Sequence, residues 1–467
     1  MPPGEPAPRL RFLARAHAQL FRRDFDEGEV VLREQPLAAI QVRLAAAPES
    51  SPRLTWPSPT QHERNKRHAL ACACCFRYLG SVEVQIARRL LPRAAAGAAG
   101  AAPGGEEGDG EYAPSEGEEE LPAVDAEALE LVSLADGRKR LPCSELFPLP
   151  QPHPCPGGCD AQFCSASCAA SCWAQQHRLL CIGPGSECGS LEALRSFWAH
   201  ARRSNDIFGL AAQLIASVAL QAQAALADCA AGAGAASTAQ RQAALLAAWR
   251  PYAAAHRMPW HACVSLPPDV AAQAGGPAFR EALRRLADAS RRRLVAAMQP
   301  QASLFPALFA PQLFEQLIGM FELNNLDVVV ESPVENFFLA VDDLPRGHPA
   351  RAAALAATSP LLDALDAGYA TPLDGTGFYP FVACTNHACN PSLASLKGER
   401  DVDGAAVLVA TRAITAGEEV TVCYIDAPPG MPLSQRRAEL QDYGFTCACE
   451  RCEREEKGRA GRRRKTK

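Results

Sequence analysis

Three thiols near the C-terminus, Cys447, Cys449 and Cys452, form a C-x-C-x2-C cluster. A tetrahedral zinc ion takes four ligands, so the cluster is one short. The missing ligand must come from elsewhere, and Cys389, within Asn386-His387-Ala388-Cys389-Asn390-Pro391, can supply it. A metal held in this way pins the end of the chain against the Asn-His segment, and a knot of that kind builds a pocket. Between the two pieces lies Gly417-Glu418-Glu419-Val420-Thr421-Val422-Cys423-Tyr424, a turn and a short run that ends on a tyrosine.

Eight further candidate ligands stand upstream as four pairs: Cys72-x2-Cys75, Cys155-x3-Cys159, Cys164-x3-Cys168 and His177-x3-Cys181. The i,i+4 spacing of the last two predicts both side chains on one helical face, able to share a metal. Four pairs make two tetrahedral sites. Interleaving them, first with third and second with fourth, cross-links the segment more effectively than sequential pairing. Trp173, four residues before His177, is expected on the same helical face and over the site. Cys74, Cys143 and Cys172 are off pattern and read as packing thiols. Nineteen cysteines clustered at such short intervals favour metal over disulfide and an intracellular, reducing compartment.

With 467 residues the chain can bury a large core in two or three structural units. A net charge of −5 indicates neither a nucleic-acid binder nor a membrane-surface protein. Met1 to Leu20 has no apolar segment of the secretory type. Gly209 to Ala227 is apolar, but Gln213, Gln221 and Gln223 interrupt it, so a buried helix is expected there and not a membrane span. Arg93 to Glu120 is Ala/Gly-rich and then acidic; a disordered loop is expected, with a functional acidic arm as the alternative. Leu20 to Pro36 reads as a strand pair around Asp26-Glu27-Gly28-Glu29. The Gly28 and Gly417 segments read as two similar hairpins in one β-rich fold. Leu191 to Leu294 reads as a helical module interrupted at Ala230–Ala236, Pro251, Pro259 and Pro267-Pro268. Pro311 starts a helix whose stripe of Leu313, Leu317 and Met320/Phe321 packs inward and delivers the chain to Asn324-Asn325, with a strand at Val328-Val329-Val330.

The upstream ligand set resembles a MYND zinc finger. That resemblance implies Cys72, Cys75, Cys164 and Cys168 on one zinc and Cys155, Cys159, His177 and Cys181 on the other. The 79 residues between Cys75 and Cys155 replace the short link usual in the family. Lengthening that loop from about 10 residues costs roughly 1.8 kcal/mol, against the order of 10–16 kcal/mol that structural zinc supplies in finger peptides. The insertion is therefore expected to bulge out.

The order of pieces, with phrases such as "GMFELNNLDVVVESPVE" and "YGFTCACERC", resembles the SMYD-type protein lysine methyltransferases, and most of all their plant Trithorax-related branch. The fold class implied is α+β: a β-rich SET fold split by a MYND finger and a helical insert and closed by a post-SET zinc cap. The corresponding segments are 9–45 and 305–430 for the two SET parts, 72–181 for the finger and 190–300 for the insert. The cap covers 431–455, and a basic tail covers 456–467. The implied activity is methyl transfer from S-adenosylmethionine to a lysine amine of a protein, histone or other, in the nucleus or cytoplasm. The implied cofactors are S-adenosylmethionine and three zinc ions, the third on Cys389, Cys447, Cys449 and Cys452. Tyr424 is the implied catalytic tyrosine. Asn386 and His387 hold the cofactor, and Asn324 or Asn325 meets its amino-acid end. Tyr443 and Phe445 line the lysine channel or cover the adenine, and Phe378 and Tyr379 add to the channel wall. Glu418 and Glu419 read as turn and ion-pair residues, Cys384 and Cys423 as core.

Three positions depart from the family pattern. His17-Ala18-Gln19 stands where Gly-Arg-Gly is usual, Ala388 replaces a serine and Ser392 replaces an asparagine. The competing reading is a non-catalytic adaptor whose finger docks peptides. The basic tail Lys457–Lys467 reads as a solvated terminus or a nuclear-localisation signal, and by itself would suggest a DNA-binding factor.

Overall fold

The computed structural model describes residues 23–41, 69–99, 126–230, 236–266, 275–398 and 401–465. After strands β1 (Val30–Glu34) and β2 (Ala38–Gln41) come helices α1 (Val82–Ala99) and α2 (Ala126–Ala135). A small hairpin β3–β4 (His153–Pro154 with Gln162–Phe163) and helix α3 (Ala166–Cys172) follow. Four longer helices come next: α4 (Leu191–Ser204), α5 (Ile207–Ala230), α6 (Thr238–Trp249) and α7 (Gly276–Ala297). Helix α8 (Pro311–Asn324) runs directly into β5 (Asn325–Val330). The C-terminal part holds α9 (Pro333–Asp342), α10 (Arg351–Leu365), β6 (Leu373–Phe378), β7 (Asn386–His387) and β8 (Leu393–Ser395). It ends with β9 (Ala406–Ala410), β10 (Thr421–Val422), α11 (Leu433–Glu439) and α12 (Glu450–Lys465).

The two halves of the chain are stitched by distant pairing, not by a local strand pair. Strand β1 pairs antiparallel with β9, Val30 opposite Val409, and β2 pairs with β6, Ala38 opposite Phe378. The resulting sheets are β1-β9-β8 and β2-β6-β5, with β10 and β7 as a parallel pair. This corrects the expectation for Leu20–Pro36. The two similar Gly-turn segments also meet: Phe25 and Ile414 exchange both backbone hydrogen bonds at 2.9 Å. Gly28 and Gly417 sit at φ +83° and +82°, in the left-handed region that turns of this shape require.

Helix starts obey local chemistry. Ser190 caps α4 by accepting from Ala193, Ser237 and Gln240 form a reciprocal capping box on α6, and Pro311 opens α8. Along α8, Leu317, Met320 and Phe321 are fully buried, and Leu313 packs at the edge of the same core. Helix α5 is long and apolar enough, over Ile207–Asp228, to cross a membrane. Its Phe208, Leu210, Leu214, Ile215 and Val218 are fully buried in the largest hydrophobic core. Helix α1 continues through Ala99, so the disordered loop expected from Arg93 is corrected at its start; the rest of that stretch lies outside the described residues. His17-Ala18-Gln19 and Pro267-Pro268 also lie outside them.

Phe378 and Tyr379 do not line a channel, which corrects a second expectation. Phe378 has no exposed surface and packs on Tyr252 and Phe321 inside the helical core. Tyr379 is 1% exposed, and its hydroxyl donates to the Gly404 carbonyl at 2.5 Å. Both sit where β6 meets its neighbours, so their aromatic bulk is used in packing.

Candidate active site and metal clusters

A cavity of 380 Å³ lies between the α8–β5 junction, β8 and the strand end that carries Tyr424. That volume is within the range of small-molecule sites. Leu323, Asn324, Asn325, Ser395, Tyr424 and Tyr443 are among its walls. The run from β10 places Tyr424 two residues past Val422, where the strand has ended and the side chain can turn inward.

Tyr424 is held from several sides. Its hydroxyl donates to the Thr385 carbonyl at 2.5 Å, and its ring centroid lies 5.1 Å from Tyr443 and 5.3 Å from His387. The Tyr443 hydroxyl donates to the Tyr424 carbonyl at 3.1 Å. Burial, with Tyr443 and Cys384 nearby, pushes the Tyr424 phenol up to about 12, so it keeps its proton at neutral pH. The site therefore offers a fixed neutral phenol and a backbone carbonyl at one place.

The asparagines fall into two groups. Asn324, in the cavity wall, donates both amide hydrogens, to the His256 and Met320 carbonyls at 2.9 and 2.6 Å, which leaves its side-chain oxygen free of that donation. Asn325 donates to Thr376 Oγ1 at 2.9 Å. Asn386 is exposed, outside the cavity wall, and donates to Glu419 Oε1 at 2.7 Å. Glu418 instead pairs with Arg412. His387 and Phe445 flank Tyr424 at 5.3 and 6.2 Å, and Phe445 is 38% exposed. Cys423 reaches the cavity wall, where a core position was expected.

Three sets of ligand atoms each gather within 4.8 Å: Cys72, Cys75, Cys164 and Cys168; Cys155, Cys159, His177 and Cys181; and Cys389, Cys447, Cys449 and Cys452. Sulfurs bound at about 2.3 Å to one tetrahedral ion lie about 3.8 Å apart, whereas a disulfide holds them near 2.05 Å. The Cys72–Cys168 and Cys75–Cys164 sulfurs are 3.5 Å apart, and Cys389 is 3.8 Å from Cys447 and 3.6 Å from Cys452. His177 Nε2 lies 3.2 Å from Cys155 and 3.3 Å from Cys159. These spacings fit a metal and not a bond between sulfurs.

The local route to the finger clusters differs from a continuous helix. Cys164 precedes α3, whose first turn is capped by Ser165, and Trp173–His177 forms a π-turn. Cys181 follows in extended backbone. Each pair thus straddles a helix end. Trp173 still covers the site, 6.0 Å from the His177 ring, and a Cβ on Gly157 would meet both Trp173 and the Cys181 sulfur. Cys74 and Cys172 pack within the same small core.

Several residues at the cap escape sequence reasoning. Fully buried Arg436 places a guanidinium nitrogen 3.6 Å from Cys452 Sγ and 3.0 Å from Glu455. Burial works to lower its pKa, but these partners raise it. A buried cation against four sulfurs suits a cluster carrying net negative charge, as four thiolates on a divalent ion do. Arg451 donates to the carbonyls of Cys389, Ala427, Pro428 and Pro429, tying the loop before α11 to the cluster. On the other side, Glu34 accepts from the Phe381 and Val382 amides, so β1 holds the turn that leads to Thr385 and Asn386. An arginine in "LSQRRAE" or a glutamate ending a strand carries no such signal locally.

No protein-family model matches the chain. It is 38% identical over 436 residues to the histone-lysine N-methyltransferase ATXR2 of Arabidopsis thaliana, covering 92% of this chain and 86% of that protein. A shorter stretch of 84 residues is 39% identical to the histone-lysine N-methyltransferase SMYD3 of Mus musculus, 18% of each chain. Another, of 88 residues, is 36% identical to the N-lysine methyltransferase SMYD2 of Homo sapiens, 18% of this chain and 19% of that one.

Proposed function

We propose, for a chain that belongs to the SMYD-related family of protein lysine methyltransferases, that it moves a methyl group from S-adenosylmethionine to the lysine amine of a protein, a histone being the first substrate to try. The observation that carries this reading is the cavity at Tyr424, which holds a neutral phenol beside the Thr385 carbonyl and is joined through His387 to the Cys389 cluster. When bound, the cofactor supplies an electrophilic methyl carbon. The Tyr424 oxygen and nearby carbonyls would stabilise positive character there, and the half-buried aromatic walls would exclude water and favour a neutral lysine amine. Asn324 and Asn325 would hold the amino-acid end, while Asn386 and the main chain of His387 would border the nucleoside. Tyr443 and Phe445 would form the aromatic side of the entrance.

The three sulfur-rich clusters would hold zinc: two ions in a MYND finger inserted between the SET segments, and one in a post-SET cap. A protein substrate and a nuclear or cytoplasmic location follow from the same reading. The test is calorimetry with S-adenosylmethionine together with a methyl-transfer assay on histones. We expect saturable binding by the wild type, and in Tyr424→Phe retained folding with a loss of at least about 100-fold in kcat. Absence of cofactor binding by the zinc-loaded wild type would refute the reading.

A further inference from the structure

We propose that His387 is a positioning residue whose ring couples the Cys389 cluster to the backbone of Tyr424, and that its side chain does not grip the cofactor. The inference rests on the reading of Tyr424 and the cap given above. Both ring nitrogens are already engaged. Nδ1 accepts the Tyr424 backbone N–H at 3.0 Å, and Nε2 lies 3.3 Å from Cys389 Sγ.

The first contact decides the second. A backbone amide can only donate, so Nδ1 must present a lone pair, and the neutral ring carries its hydrogen on Nε2. That hydrogen points at Cys389, and a metal-bound thiolate is an acceptor for it. Outer-shell donors of this kind orient ligands and tune their metal.

The place of the ring in the fold gives the reason it is needed. Strands β7 and β10 run parallel, Asn386 beside Thr421 and His387 beside Val422, and Ala388 donates to the Val422 carbonyl at 3.0 Å. The ladder stops there. Tyr424, two residues on, finds its acceptor in the imidazole and not in a strand. Its hydroxyl is held by Thr385, in the same tripeptide region, so Thr385 and His387 grip Tyr424 at both ends. Loss of the cap metal would free Cys389, then the ring, then the tyrosine amide.

Two substitutions separate the two contacts. Asparagine places an acceptor near the Nδ1 position and lacks the outer donor; glutamine places a donor near Nε2 and lacks the inner acceptor. In the zinc-loaded full chain, we expect His387→Asn to release the cap zinc to a chelator about tenfold faster than wild type. His387→Gln should release it at the wild-type rate yet lose about tenfold in kcat, more than the Asn variant, with KM for S-adenosylmethionine within about twofold. Long-range nitrogen–proton spectra of histidine-labelled wild type, assigned against the Gln variant, should show the Nε2–H form. A protonated Nδ1, equal zinc loss in both variants, or a change in S-adenosylhomocysteine affinity in place of kcat would overturn the proposal. The spectrum needs only the Gln variant to fold, and only for its assignment. A wild type without transferase activity would sink the functional reading while leaving the spectral and zinc-release arms readable.

Discussion

The finger and the cap use the same ligand chemistry and are attached to the molecule in different ways. The first finger cluster touches the body through one backbone hydrogen bond and through packing. Gly404 donates to the Cys75 carbonyl at 2.7 Å, and Phe76 presses on β6 so closely that a Cβ at Gly375 would lie 2.6 Å from its ring. The cap cluster touches the cavity through polar contacts, from Cys389 to His387 to Tyr424, with Arg451 and Arg436 on its far side. One ligand set is seated against β6; the other borders Tyr424. What a cluster does for activity depends on the contacts its ligands make beyond the metal.

The sharpest way to break that comparison is to remove one ligand from each region. Cys389→Ser should lose one zinc by metal analysis, abolish S-adenosylhomocysteine binding and reduce methyl transfer at least about 100-fold. Cys164→Ser should also lose one zinc, but with a fall in transfer at least about tenfold smaller. Equal losses would show that the finger is as closely wired to the cavity as the cap.

A smaller effect tests the packing contact. Gly375→Ala forces a methyl against Phe76 and, at 2.7 Å, the Ile40 carbonyl, and should destabilise by roughly 1–3 kcal/mol in denaturant unfolding while all three zinc ions are retained. An unchanged midpoint would mean the finger is not seated on β6 by that contact.

The smallest expected effect is with pH. Burial pushes both His177 and His387 down to about 4, below the ordinary imidazole value of 6.5. Between these values the unfolded chain binds the protons first, so stability is full above about 6.5 and is lost as pH falls towards 4. His177→Cys exchanges a ligand that titrates near about 6.5 when free for a thiol that titrates near about 8.5, so its thermal midpoint should fall more than that of the wild type between pH 7.5 and pH 5. Coincident profiles would remove the finger histidine from the acid response.

The ligand sets were legible because metal chemistry is local and discrete. A thiol at the wrong spacing cannot complete a tetrahedron, so Cys447, Cys449 and Cys452 demanded a partner, and the His177 and Cys181 pairing needed only a count of residues. The long helices were legible from apolar spacing and from Ser190, Ser237 and Pro311 at their starts. Strand partners were not. Nothing near Val30 announces Val409, because sheet pairing is satisfied by any strand of fitting pattern and is selected by the closure of the whole core. The misplacement of Phe378 has the same origin: an aromatic at a strand end faces either a channel or a core according to what packs on it, here Tyr252 and Phe321.

By itself, then, the order of residues determined which side chains form candidate ligand sets and where helices begin, since both follow from chemistry within a few positions. Only the tertiary structure decided that Tyr424 would find its acceptors in Thr385 and His387, that Arg436 would be buried against Cys452, and that Asn386 would turn to Glu419. Those contacts join segments whose approach is set by the burial of many apolar groups at once, and no short stretch of sequence encodes that sum.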